Sequence, residues 1–147
     1  MAVSTILFLD DMPIRHTVFK DLAARDGFLV DSAYTAEEAI RLLESHEYVG
    51  ASLDHDLGED HYMGPYVSPS MGGTAHSGRA VARWIAEHGK PFFVMIHSYN
   101  PDGAREMFQI VWESDHPLNV RSQPFNTAAF RTWFSDIHWS EEAKEEK

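Results

Sequence analysis

Cysteine is absent from the chain, which excludes disulfide bridges, thiolate metal sites and cysteine nucleophiles and accords with a reducing compartment. Positive charge is scarce as well. Twelve Lys and Arg stand against 23 Asp and Glu, for a formal net charge of −11. Such a surface is unsuited to gripping a long nucleic-acid duplex or an anionic membrane, both of which require a basic face. Nucleic-acid ends and small nucleotides stay open, because a bound metal ion reverses the sign of a local field. Long apolar runs are also missing. Ile6 to Leu9 is too short for the core of a signal peptide and runs directly into two aspartates, and no stretch has the length to cross a bilayer. With 147 residues the expectation is one cytoplasmic domain with a self-sufficient core.

What the chain does have is two acidic clusters, each ending an apolar run. Thr5-Ile6-Leu7-Phe8-Leu9 leads into Asp10-Asp11, and Val49-Gly50-Ala51-Ser52-Leu53 leads into Asp54-His55-Asp56. Buried strands of a parallel sheet read as short continuous hydrophobic runs. Charges just past their ends therefore belong to loops at the carboxyl edge, where open α/β sheets bind ligands. Carboxylates gathered there repel one another unless a proton or cation intervenes, and a hard divalent ion, Mg²⁺ or Mn²⁺, suits an all-oxygen set.

Apolar strand-like runs alternate with amphipathic helical segments nearly to the end of the chain, the pattern of a parallel sheet covered on both faces. Pro13 opens a first helix with Ile14, Val18 and Leu22 on its buried side, and Gly27 stops it. Phe28 to Ala33 is a second strand. Thr35 and Glu38 form a capping box for a helix carrying Ala39, Ile40, Leu42 and Leu43. After the third strand, the stretch from Leu57 to Ser77 is rich in Gly, Pro, Ser, Tyr and Met, a length typical of a functional lid or a disordered loop. Gly78 to His88 is a helix with Val81, Trp84 and Ile85 inward, and Pro91 to Ile96 a fourth strand ending on His97-Ser98-Tyr99-Asn100. Asn100 caps a helix opened by Pro101 and running through Met107, Phe108 and Val111. Leu118 to Arg121 is a fifth strand, and Asn126 or Thr127 caps a final helix through Phe130, Trp133 and Phe134. Trp84, Trp112 and Trp133 read as core residues of separate helices. The domain is expected over residues 1–139, with a charged tail, 140–147, that frays.

Paired aspartates after the first strand and another after the third resemble the receiver domain of two-component response regulators. The resemblance implies a flavodoxin-like, doubly wound sheet of five parallel strands in the order 2-1-3-4-5, with helices on both faces. It further implies that Asp10 and Asp11 help to hold Mg²⁺, that Asp54 is the phosphoacceptor, and that the backbone carbonyl of Asp56 completes the protein ligands. Ser98 matches the hydroxyl residue that receivers place after the fourth strand. The departures are as informative. Receivers carry a lysine before a proline after the fifth strand, whereas this chain reads Ser122-Gln123-Pro124-Phe125, with Gln123 in its place. The long loop, the second aspartate at Asp56 and the neighbouring histidines are also foreign to an ordinary receiver. Leu53-Asp54-His55-Asp56-Leu57-Gly58 and His97-Ser98-Tyr99-Asn100-Pro101-Asp102-Gly103-Ala104 are similar to the cyclic-phosphate processing receiver family, which implies an enzyme acting on cyclic phosphates.

The chemistry open to these residues follows from their types. Asp10, Asp11 and Asp54 are candidate metal ligands. Asp56 is a spare carboxylate fit to act as a base, and His97 a group able to protonate a leaving oxygen. Ser98 and Asn100 are placed to hydrogen-bond phosphate oxygens beside the amides that open the Pro101 helix, and Arg105, one turn on, is a candidate phosphate clamp. Each has a plainer alternative. Asp11 could cap the first helix, though Asp10 then lacks a role and metal binding is favoured; Asn100 reads as a helix cap, Asp56 as a turn acceptor and His97 as a structural histidine. His55 reads as outward or supporting, and Arg105 and His76 as surface or loop residues. The leading expectation is a metal-dependent phosphoesterase acting on an RNA 2′,3′-cyclic phosphate end or a small cyclic nucleotide. Its rivals are a receiver or pseudo-receiver phosphorylated at Asp54 or used as an interaction module, and a protein that binds a cyclic nucleotide without turnover.

Overall fold

The structure is a computed structural model that describes residues 3–57 and 77–145. The elements run β1 (Thr5–Leu9), α1 (Pro13–Arg25), β2 (Leu29–Ala33), α2 (Ala36–Ser45), β3 (Gly50–Leu53), α3 (Gly78–His88), β4 (Phe93–Ile96), α4 (Pro101–Trp112), β5 (Asn119–Ser122) and α5 (Thr127–Glu145). All strand pairs are parallel, in the order β2-β1-β3-β4-β5. This is the flavodoxin-like arrangement expected from the sequence. β1 lies between β2 and β3, so the connections leave it toward opposite edges and a crevice opens at the carboxyl ends of β1 and β3.

Two apolar layers enclose the sheet. Leu7, Leu9, Ala51, Leu53, Val94 and Ile96 face α2, α3 and α4, where they meet Leu43, Ile85 and Met107. Ile6, Phe8, Phe93 and Met95 face α1 and α5, against Phe19, Phe130, Trp133 and Phe134. The period of two along each strand thus assigns odd and even positions of β1 to opposite layers. Gly50 is needed for one close approach: a Cβ there would lie 3.1 Å from the Trp133 ring.

The local signals act as the residues predict. Pro13 stands in the first turn of α1. Thr35 Oγ1 accepts from the Glu38 amide at 3.1 Å, and the Glu38 carboxylate reaches back to the Tyr34 amide at 3.3 Å. Gly89, at φ 70°, closes α3 in the left-handed region that favours glycine.

Three expectations shift. Ile14 is 61% exposed, and the buried side of α1 is His16, Phe19, Leu22 and Ala23; His16, polar by composition, takes an inward place because both ring nitrogens are bonded. Trp112 is 68% exposed and, among the described residues, stacks on Phe108 along its own helix, so it is not core. α5 extends past the expected domain limit at 139, as a helix to Glu145. Residues 58–76, with the lid reading and His76, lie outside the described residues. Among the described residues no helix is long and apolar enough to cross a membrane.

Candidate metal centre

Phe8, Ser52 and Met95 are register partners across β1, β3 and β4. Two residues further along each strand, on the same face, come Asp10, Asp54 and His97. The ladder persists to this point, since the amides of Asp54 and His97 donate to Leu9 and Leu53 carbonyls, each at 3.0 Å. Strand periodicity therefore delivers two carboxylates and an imidazole as one polar row at the end of the α1/α5 face. All three side chains are buried, and their ligand atoms lie within 4.8 Å of one another.

Asp10 is wholly buried and held from several sides. Its Oδ1 accepts from the Met12 amide at 2.9 Å, while Oδ2 accepts from His97 Nε2 at 2.9 Å and Arg15 Nη1 at 3.3 Å. A carboxylate can only accept, so His97 donates through Nε2 and its Nδ1 accepts from the Ser52 hydroxyl, 2.7 Å away. His16 repeats the motif on the other side: Nε2 donates to the Asp10 carbonyl at 2.7 Å and Nδ1 accepts from Ser32 Oγ at 2.8 Å. Two serine-backed histidines thus fix both ends of one aspartate. The His97 ring lies flat on Phe8, with centroids 4.8 Å apart and planes 8° from parallel.

Burial pushes His97 below its ordinary value, against the pull of Asp10, and keeps it neutral. Burial pushes Asp10 up, but the hydrogen bond donated by His97, the Met12 amide and Arg15 outweigh it and hold Asp10 ionised. Asp54 has less support. One amide, from His55, donates to its Oδ1 at 2.9 Å, and Arg15 Nη1 stands 3.7 Å from Oδ2. Burial, and then the charge of Asp10, push Asp54 up to about 7. A buried carboxyl raised by another carboxylate beside it is the electrostatic condition that a divalent cation relieves. Asp10 and Asp54 supply hard oxygen donors at that place, with the charge of the half-buried Asp11 felt at Asp54, so the residues fit Mg²⁺ or Mn²⁺.

The remaining expected residues divide. Asp56 is exposed at the rim, where its Oδ1 meets His55 Nδ1 at 2.7 Å and Asn100 Nδ2 at 3.3 Å. His55 does not turn away from Asp56 as strand alternation predicts, because the chain bends after β3; it packs on Gly103 of α4, where an added Cβ would lie 2.5 Å from the ring. Asn100 caps α4 through its Oδ1, which accepts from the Gly103 amide at 3.0 Å, and keeps its amide nitrogen for Asp56. Ser98 is buried and its Oγ accepts from the Asn100 amide at 3.0 Å. His97 has both nitrogens engaged inside the core and no face open to substrate, so direct protonation of a leaving oxygen does not fit its position. Arg105 is not brought to the row: its side chain is 77% exposed and pairs with Asp102.

Sequence reasoning passed over Arg15, His16 and Ser52. Arg15 and His16 lie only one turn into α1 from the acidic pair, and Ser52 sits two residues before Asp54 on the same strand. These spacings were the available signals.

Comparison with known proteins agrees with this architecture. The chain is similar in structure to the receiver domain of a CheY-like response regulator from Methanospirillum hungatei, with a TM-score of 0.68 and 14% identity over 97% of this chain and 99% of that one. A CheY-like receiver domain from Methylobacillus flagellatus gives 0.63 and 15% over 92% and 99%. A response regulator from Burkholderia pseudomallei, solved with a phosphorylated aspartic acid, a calcium ion and citrate, gives 0.60 and 17% over 98% and 75%. At such identities the likeness concerns the fold. No curated protein matches the sequence. The sequence pattern of the cyclic-phosphate processing receiver domain, however, matches residues 5–113, a span that includes both acidic clusters and the His97–Ala104 motif, and the chain belongs to that family.

Proposed function

We propose that this protein is a metal-dependent phosphoesterase that opens or removes a cyclic phosphate on an RNA end or a small cyclic nucleotide. The observation that carries the proposal is the pairing of a buried acidic row, Asp10 and Asp54, with a second, exposed carboxylate at its rim. A phosphorylation switch needs the first and has no use for the second; hydrolysis needs both, one set to hold a cation and one group to take a proton from water.

Asp10, Asp11 and Asp54 hold Mg²⁺ or Mn²⁺, which when bound neutralises phosphate charge and favours ionisation of water. Asp56 is the base. It is solvent-accessible, and His55 and Asn100 fix its orientation. Water attacks phosphorus as Asp56 takes its proton, one ring P–O bond breaks, and the departing sugar oxygen acquires a proton from solvent. Ser98 and Asn100 line the approach at the start of α4, whose first amides favour anions. His97 is a positioning residue that keeps Asp10 ionised and aimed. Gln123 follows β5, its backbone amide bonded to the Ile96 carbonyl at 2.8 Å, and its neutral side chain cannot supply an acyl phosphate on Asp54 with the charge that a lysine at that position would.

The test is a panel of 2′,3′- and 3′,5′-cyclic nucleotides and cyclic-phosphate-ended RNA with Mg²⁺ or Mn²⁺, products identified by mass. Hydrolysis is expected, lost with chelator and in Asp54→Asn, and reduced about 100-fold or more in Asp56→Asn. A chain that binds metal and turns over none of these substrates refutes the proposal. Acetyl phosphate then tests the signalling reading, which requires a labile phosphoryl adduct, seen by intact mass, that Asp54→Asn abolishes.

A further inference from the structure

Arg15 faces both buried aspartates through one atom, Nη1, which donates to Asp10 Oδ2 at 3.3 Å and stands within ion-pair reach of Asp54 Oδ2 at 3.7 Å. The other oxygen of each is committed to a backbone amide, Met12 for Asp10 and His55 for Asp54. Asp10 Oδ2 also accepts from His97, which leaves it one lone pair. A divalent ion shared by the two carboxylates needs the same two oxygens that Arg15 now faces. The guanidinium has a second resting place beside it. Its carbon lies 5.1 Å from the centroid of the Tyr99 ring and 5.9 Å from that of Phe125. The Tyr99 hydroxyl donates to the Phe125 carbonyl at 2.9 Å, tying the two residues into an aromatic shelf under the guanidinium. Cation–π contact with such a shelf retains an arginine whose carboxylate bonds are given up.

We propose that Arg15 is a stand-in cation: it yields the Asp10–Asp54 oxygens to a divalent ion and then, steadied by Tyr99 and Phe125, clamps the phosphate of the substrate. The inference rests on the cation-dependent phosphate chemistry proposed above and deepens it. A guanidinium presents a planar fork that matches two phosphate oxygens, which an ammonium cannot do. While Arg15 Nη1 is engaged with the carboxylates, one prong of that fork is taken and an anion meets two carboxylates beside it. Phosphate recognition in this site therefore waits on the cation, and Arg15 takes the clamping role for which Arg105 is too far out.

Full-length wild type, Arg15→Met, Arg15→Ala and Arg15→Lys are compared for Mn²⁺ affinity by electron paramagnetic resonance, and for inorganic phosphate affinity at saturating Mn²⁺ by calorimetry. Met retains an unbranched stem over the rings, and thermal unfolding establishes that each variant is folded. Arg15→Met and Arg15→Ala are expected to bind Mn²⁺ about fivefold or more tightly than wild type, since the internal competitor is gone. The same variants bind phosphate about tenfold more weakly. Arg15→Lys keeps Mn²⁺ affinity near that of wild type and still loses phosphate affinity. Folded Met and Ala variants whose Mn²⁺ affinity is unchanged or weaker overturn the competition, and unchanged phosphate affinity overturns the clamp. Neither arm depends on turnover. Shifts in both without hydrolysis of any cyclic nucleotide refute the phosphoesterase and leave Arg15 its role, whereas hydrolysis with unshifted Mn²⁺ affinity does the reverse.

Discussion

Asp54 shows what a functional residue costs the fold that carries it. It is buried beside a second carboxylate with one good hydrogen bond of its own, whereas Asp10 has three donors. The carboxyl that titrates near 3.8 in an unfolded chain is held up to about 7 in the folded one. The folded state therefore binds that proton more tightly, and stability from this group is present at low pH and lost as pH rises from about 3.8 to about 7. The loss amounts to about 1.4 kcal/mol for each pH unit crossed. In chelator, Asp54→Asn is thus expected to be more stable than wild type, by a margin that opens between pH 4 and 7 and is level above, while it loses cation binding. Urea unfolding across that range measures the margin, and a variant no more stable than wild type at pH 8 would contradict it. The residues that build this environment were only partly legible. Asp10 and Asp54 announce themselves by ending apolar runs. Arg15, His16 and Ser52 do not, because an arginine, a histidine and a serine read singly as surface, and only the strand register and the turn of α1 carry them inward to one carboxylate.

The elements were legible where a local signal decides them and less so where packing does. Asn100-Pro101 specifies the start of α4 by chemistry internal to two residues, and the helix begins there. The buried face of α1 depends instead on what α1 meets. Phe19 stacks on Phe8 at 4.2 Å and His16 finds two partners, so the helix turns Ile14 outward against its hydropathy. Gly78 is the case in which an element and the site meet. Its amide donates to the His55 carbonyl at 2.9 Å, and a Cβ at this position would lie 1.8 Å from the Asp54 carbonyl oxygen and 2.8 Å from the Met107 methyl. A backbone oxygen cannot step aside as a flexible side chain can. Gly78→Ala is therefore expected to cost about 3 kcal/mol or more and to weaken Mn²⁺ binding by moving the chain at Asp54. Gly27→Ala is the contrast, since nothing lies within 4 Å of its Cβ position and only the φ of +84° opposes it; about 1 kcal/mol is expected. Equal losses of stability in the two variants would show that close packing at Gly78 is not what α3 requires.

At the scale of the whole molecule, the net charge of −11 and the buried acidic row make the same demand at different ranges. Diffuse negative charge destabilises any compact state and is screened by every salt. Charge concentrated at Asp10 and Asp54 is relieved by an ion that fits between them, and burial protects it from screening. The two effects separate by ion type at constant ionic strength. A ligand that binds only the folded chain stabilises it by about 2.7 kcal/mol at a free concentration of about 100 times its Kd. For a domain of this size that amounts to a rise of roughly 5–10 °C in Tm. Mg²⁺ or Mn²⁺ is expected to produce such a rise over NaCl matched for ionic strength, in a saturable manner, and Asp10→Asn to abolish it while keeping the general response to salt. If NaCl alone reproduces the rise, the stabilisation belongs to the diffuse charge and the acidic row does not hold a divalent ion. If Asp10→Asn responds like wild type, the ion binds elsewhere on the acidic surface.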